Sequence, residues 1–363
     1  MTVQETIVEI NLSNLKKNLA FLKSKLNNKT LIMAVVKAFA YGSDSIIISK
    51  KLEKEKIDYL AVAYTIEGIE LRKAGIKTPI LVLHPQINDF ESIIEFNLEP
   101  SIYSFRILKA FVSKLGKIKN YPFQIKFNTG LNRLGFCENQ IDKLISCLNE
   151  FKPTFIFSHL GASEDSFEKN FTTQQIKKFS LMTDLFQSKV GCKVKRHILN
   201  TSGILNYPNS QFEMVRSGIG LYGFGNDSKY KLELKPVINL KTIISQIHQI
   251  KKGDSVGYNK GFVAKKNMIT ATLPIGHADG ISRQYGKGKG QVMVNGKLAP
   301  IIGNVCMDMI MIDVSKILCK EGDLVIFFDD HNISADDFAQ SIETISYEII
   351  TALSKRIKRV ILD

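Results

Sequence analysis

Six residues able to do chemistry stand at or beside the ends of short β-rich runs. They are Lys37 after LIMAVV, His84 after PILVL, Lys126 in FQIKFN, His159 after TFIFS, Asn200 after RHIL and Arg216 in FEMVRS. One polar residue at a strand end is usually a solvated boundary position. Six along the rim of one closed sheet would aim at a common mouth, where such folds assemble their sites. Lys37 carries the sharpest chemistry. It follows AVV, a buried-strand signature, and precedes AFAYG, a tight glycine-containing exit. An amine placed there loses hydration, which lowers its pKa and favours the neutral form. A neutral amine is what imine formation with an aldehyde requires. The plainer alternative is a lysine that snorkels to the rim.

The segment MVRSGIGLYGFG shifts that balance. It puts Arg216 at a strand end and follows it with Gly218, Gly220, Gly223 and Gly225. Exposed backbone N–H groups after the last strand of a barrel are a common phosphate seat. Glycine-rich stretches alone often mark a linker. A phosphate seat opposite a strand-end lysine is the layout expected for pyridoxal 5'-phosphate.

The elements that must hold these residues form a rhythm. After a strand-like TIVEI and an amphipathic helix over 12–26, the β-rich runs LIMAVVK, YLAVA, PILVLH, PSIYS, FQIKFN, TFIFSH, RHILN and FEMVRS alternate with helical stretches. About eight strand–helix units is the count of a (β/α)8 TIM barrel. From Leu232 onward strands dominate, separated by Gly- and Asn-bearing turns, with VNGK the clearest hairpin. A helix in SADDFAQSI and a closing helix in SYEIITALSKRI complete the chain. The reading is α/β: a barrel over 1–231, then a mainly β C-terminal domain over 232–363.

Composition narrows the class of function. A chain of 363 residues exceeds the usual reach of one core, so two domains are expected. The net charge of +14 comes from lysines spread along the chain among acids and apolar residues. No arginine-rich or aromatic tract accompanies them, which speaks against nucleic-acid binding. No apolar run approaches a membrane span, and the N-terminus lacks a secretory pattern. The five cysteines are odd in number and include no CxxC, so neither a disulfide framework nor a metal site is expected. A cytoplasmic setting fits.

The ordered landmarks AVVKAFAYG, KFNTGLNRLGF, FSHLGA, ILNTSG, MVRSGIGLYG, SVGYN, LPIGHADG, APIIGNVCMDMIMIDV and TISYEI run nearly end to end. In them the chain resembles the alanine racemases, barrel-type pyridoxal-phosphate enzymes. The resemblance implies interconversion of L- and D-alanine by a two-base mechanism, with D-alanine going to peptidoglycan. Lys37 would bond the cofactor and act on one face of the substrate. Tyr258 would act on the other face, donated by the second subunit of a homodimer with shared active sites. Tyr41, Thr201, Gly218, Ile219 and Tyr347 would hold the phosphate, with Asn200 beside them. Arg216 would face the pyridine nitrogen, and His159 would lie behind Tyr258. Arg133 would meet the substrate carboxylate, with Lys126 at a position carbamylated in some members. Met307 and Asp308 would enter from the partner, and Cys306 reads as a small hydrophobe beside them. His197 reads as a packing or hydrogen-bonding residue below the site, and His84 has no assigned role.

Departures from the usual pattern are Phe39, Ser43-Asp44, Asn128, Thr201, His277 and Asn304. None removes a catalytic group, but His277 and Asn304 leave the access passage and the preferred substrate open. The alternatives are a broader racemase acting on serine or longer side chains, and a non-catalytic pyridoxal-phosphate carrier. A carrier would need neither Tyr258 nor the CMD segment.

Overall fold

In the computed structural model the described residues are 5–363, without 117, 119, 226–229, 231 and 232. The first strand, β1 (Ile7–Asn11), stands outside the barrel. β2 (Leu31–Val35), β3 (Tyr59–Val62), β4 (Ile80–Val82), β5 (Glu99–Ile102), β6 (Gln124–Lys126), β7 (Phe155–Phe157), β8 (Lys195–His197) and β9 (Met214–Ser217) close the parallel barrel. Closure comes from β2, which pairs with β3 on one side and β9 on the other. β2, β3, β4 and β7 are apolar along their whole length because helices cover the outer face and side chains fill the inner one. The covering helices are amphipathic. In Phe105–Leu115, the residues Ile107, Leu108, Phe111 and Leu115 are buried at three- and four-residue spacing, and Ser104 caps the start.

The remaining strands are β10 (Ile238–Ile243), β11 (Gln246–Ile250), β12 (Ser255–Val256), β13 (Phe262–Val263) and β14 (Met268–Leu273). They are followed by β15 (Gln291–Val294), β16 (Lys297–Ile302), β17 (Ile310–Asp313), β18 (Leu324–Phe328) and β19 (Lys358–Leu362). Nine strands make one sheet, in the order β11-β14-β17-β16-β15-β18-β10-β1-β19, and β12 pairs only with β13. The barrel and the mainly β second part are therefore both present as expected. The junction expected at 231/232 lies outside the described residues.

Two features of the chain ends depart from the sequence reading. β1 belongs to the second sheet, antiparallel to β10 and parallel to β19. The closing helix is confined to Ser346–Thr351, and the chain ends in β19 instead. The reason is the β-branched pair in KRVIL, which finds an open partner in β1. These pairings stitch the two parts together. Asn18, in the helix Leu12–Ser24, adds to them by donating to Leu221 O and Lys235 O at 3.0 and 2.7 Å. Among the described residues, no helix is long and apolar enough to cross a membrane.

Candidate active site

Lys37 follows β2 directly and opens a turn of unusual hand. Ala38, Phe39, Ala40 and Tyr41 all have φ between 50 and 56°, a left-handed turn built without glycine. Each such residue costs about 1–2 kcal/mol, so other contacts must hold the turn. Glu67 supplies one: its carboxylate accepts from Ala38 N at 2.6 Å, and its other oxygen accepts from Ala63 N and Tyr64 N. Arg359 on β19 supplies another, donating to Gly42 O at 2.9 Å and Ser43 O at 3.2 Å. Hydrogen bonds to charged groups are worth about 1.5–3 kcal/mol each, enough to offset much of the strain. Gly42 itself has φ +80°, and a Cβ there would lie 1.8 Å from Ile350 O. The turn and the helix carrying Tyr347 are thus pressed together.

A cavity of about 770 Å³ opens at the carboxyl ends of the barrel strands. Lys37, Lys126, Arg133 and Arg216 line it, against one lining carboxylate, Glu348. His84, His159 and Asn200 join them, as do Tyr41, Thr201, Gly218, Ile219 and Tyr347. All six strand-end residues singled out above therefore share one mouth. Burial lowers the Lys37 ammonium below its usual range, with Arg133 adding to the effect and Glu67 opposing it. Burial, then Arg133, Arg216 and Lys37, bring Lys126 down to about 8. His159 and His197 are pushed well below the usual imidazole range by burial and by Arg216. Burial brings Arg216 down to about 9, so it stays charged at neutral pH.

Arg216 is held from several sides. One terminal nitrogen donates to Ser158 O at 2.7 Å, Ile198 O at 3.0 Å and His159 Nδ1 at 3.1 Å, and the other donates to His197 Nδ1. Nothing else among the described residues accepts from it, which leaves N–H donors for a group in the cavity. Opposite Lys37, Asn200 caps the helix Thr201–Asn206, and Thr201 Oγ1 accepts from Gly218 N and Gly220 N at 3.3 and 3.2 Å. A Cβ on Gly218 would fall 2.2 Å from Tyr41 Oη, and one on Gly220 would fall 2.5 Å from Thr201 Cγ2. Only glycine allows backbone and hydroxyls to approach so closely. This cradle of amides and hydroxyls in a cationic cavity, shared with a lysine whose pKa is lowered by burial, fits pyridoxal phosphate.

The two parts of the chain match the family descriptions "Alanine racemase, N-terminal domain" over residues 10–225 and "Alanine racemase, C-terminal domain" over 237–361. The chain belongs to the alanine racemase family. It is 37% identical to "Alanine racemase" of Clostridium novyi (strain NT), over 97% of this chain and 94% of the relative. Its fold matches the alanine racemase of Clostridium difficile 630 with a TM-score of 0.92 at 33% identity, covering 99% and 96% of the two chains. The alanine racemase of Bartonella henselae, solved with covalently bound pyridoxal phosphate, matches with a TM-score of 0.90 at 28% identity, covering 99% of each chain.

Four of the residues that the sequence reading assigned to the site do not line the cavity of this chain: Tyr258, Cys306, Met307 and Asp308. They sit together on the second sheet's side. Asn304 Nδ2 donates to Tyr258 O at 2.9 Å, bracing the turn that presents Tyr258. His277 N donates to Cys306 O at 2.9 Å, and Asp308 pairs with Arg356 at 2.5 Å. Tyr258 is 72% and Met307 59% exposed. The half-buried Cys306 has its thiol raised by burial. The sequence reading missed Glu67 and Arg359. Glu67 had a partial signal, an acid in the first turn of TIEGIELRK where unpaired amides need acceptors. Arg359 had none, because its acceptors are carbonyls brought together only by the fold.

Proposed function

We propose that the chain interconverts L- and D-alanine with pyridoxal phosphate, using Lys37 and Tyr258 on opposite faces of the substrate. Family membership over both domains supports the activity, and the depressed, cradle-facing Lys37 is the observation that carries the site. Tyr41, Thr201, Gly218, Ile219 and Tyr347 would hold the phosphate, Arg216 would face the ring nitrogen, and Lys37 would bond the aldehyde carbon. When bound, the cofactor withdraws electron density from the substrate's α-carbon and makes its hydrogen acidic.

This chain's residues do the rest. Neutral Lys37 Nζ takes or returns the α-proton on one face, and Tyr258 Oη returns or takes one on the other, so the proton count balances. Arg216 stays a cation and can only donate, so it would meet the ring nitrogen as a hydrogen-bond donor. Arg133 meets the substrate carboxylate, flanked by Lys126.

Tyr258, Met307 and Asp308 reach a cavity only if a second copy brings them, so the working unit is a homodimer with two composite sites. The exposure of Met309 next to Asp308, and of Ile345 at the cavity, supports such an interface. Five free cysteines suit a cytoplasmic location. The test is to follow L-alanine by polarimetry with purified protein and added pyridoxal phosphate, beside a Lys37→Ala control. Optical rotation should decay with the native protein only. No decay with the cofactor still bound would overturn the reading.

A further inference from the structure

Behind Arg216, a line of buried polar side chains crosses the barrel interior and takes no part in the chemistry described above. His197 Nε2 lies 2.8 Å from Gln124 Oε1. Gln124 Nε2 donates to Glu99 Oε2 at 3.0 Å, and Tyr59 Oη donates to Glu99 Oε1 at 3.3 Å. Tyr59, Glu99 and Gln124 are the first residues of β3, β5 and β6, whereas His197 and Arg216 sit near the carboxyl ends of β8 and β9. The line therefore runs from the amino end of the barrel to its mouth. Gln124 and His197 are fully buried, and Glu99 is nearly so.

The donor and acceptor types along this line admit one arrangement. Arginine can only donate, so the Arg216 contact is kept only while His197 Nδ1 presents its lone pair. A neutral imidazole with an unprotonated Nδ1 carries its proton on Nε2. That proton needs an acceptor, which is the Gln124 oxygen. The Gln124 amide can offer its oxygen to His197 only if its nitrogen turns the other way, where Glu99 accepts. Phe157, stacked on His197 at 4.9 Å and 4°, fixes the ring plane but cannot choose the tautomer.

We propose that Glu99, acting through Gln124, is a positioning residue that sets the tautomer of His197 and thereby keeps Arg216 aimed at the cofactor ring. The proposal deepens the function given above and rests on it only for the catalytic readout. Without an acceptor at position 99 the Gln124 amide is free to flip. A flipped amide would point N–H at His197 Nε2, favour a proton on Nδ1 and turn two donors against each other at Arg216. Burial raises the Glu99 carboxyl, while the donors Gln124 and Tyr59 and the nearby Arg72 favour its charged form.

The test uses the cofactor-loaded protein with 15N-labelled histidine, with the His197 signals identified by their loss in His197→Gln. Long-range 15N–1H correlation should show Nε2 protonated and Nδ1 unprotonated at neutral pH. Glu99→Leu should mix the two tautomers and lower kcat about tenfold, with KM changed less than about twofold. Glu99→Gln keeps an oxygen for Gln124 to donate to, so it should retain the single tautomer and kcat within about twofold. If Glu99→Leu does not fold, Gln124→Leu breaks the same line one link nearer and should give the same mixture.

A proton on Nδ1 in the native protein would overturn the proposal. So would a single tautomer and native kcat in Glu99→Leu, or an equal loss of kcat in Glu99→Leu and Glu99→Gln. A native protein that shows the Nε2–H tautomer but does not racemise alanine would sink the functional reading and leave the tautomer assignment standing.

Discussion

Lys37 and Tyr258, assigned to opposite faces of one substrate, sit in opposite kinds of surroundings. Lys37 stands at the mouth of a closed barrel, among Lys126, Arg133 and Arg216, on a left-handed turn clamped by Glu67 and Arg359. Its environment is complete within one chain, and the lowered pKa of its amine follows from that environment. Tyr258 projects from a turn on the second sheet's side, 72% exposed and braced through its own carbonyl by Asn304. Among the described residues, no side chain hydrogen-bonds the Tyr258 phenol. On the proposed function, the contrast is between a finished half-site and a half-site awaiting a second copy.

The largest effect should come from breaking the finished half. Lys37→Ala should lower kcat by at least about a thousandfold, since it removes both a proton-transfer group and the cofactor's covalent anchor. The absorbance of the bound cofactor should change with it. Tyr258→Phe should cost about a hundredfold or more in proton abstraction in one direction, while the cofactor stays bound. Equal loss of cofactor and activity would count against placing Tyr258 on the substrate's second face.

Breaking the interface should sharpen the comparison further. Met307→Asp with Met309→Asp puts charges on two exposed apolar side chains beside the CMD segment. Sedimentation should then show monomers with an intact far-ultraviolet spectrum and little activity. A fully active monomer would defeat the composite site.

Smaller effects test the clamp and the buried histidines. Arg359→Ala removes charged donors from Gly42 and Ser43 carbonyls and should cost about 1.5–3 kcal/mol, read as a lower Tm. Arg359→Lys should recover part of it. His159 and His197 stay neutral in the fold because their pKa values are pushed well below the free value. In the unfolded chain they take up protons below about pH 6.5, so stability falls as pH drops through that value. Each should cost about 1.4 kcal/mol per pH unit below 6.5. Urea unfolding at pH 7 and pH 5.5 should show the loss, and His197→Gln should flatten the slope.

β2, β3, β4 and β7 were legible in the sequence because strands buried on both faces write themselves as short apolar runs, and the other four followed from the strand–helix rhythm. Their polar termini were legible too, since a lysine after AVV or an arginine before a glycine run breaks that pattern. The partner of β1 was not, because TIVEI reads the same whichever sheet it joins. β19 was hidden behind a helical pattern in SYEIITALSKRI that continues well beyond Thr351, where the helix stops. The left-handed turn had no local signal at all: Ala, Phe, Ala and Tyr have no preference for positive φ, and Glu67 and Arg359 impose it from distant parts of the chain. The line from His197 to Glu99 was likewise invisible, since it joins three strands that only the closed barrel aligns.

The claim that a working site takes Lys37 from one chain and Tyr258 from another is tested most directly by mixing two inactive proteins. Lys37→Ala and Tyr258→Phe chains are refolded together and assayed for alanine racemisation. In mixed dimers one of the two sites recovers both native residues, so a statistical mixture should reach about a quarter of native activity. A mixture no more active than its parents would place both residues in the same chain's site and contradict the account.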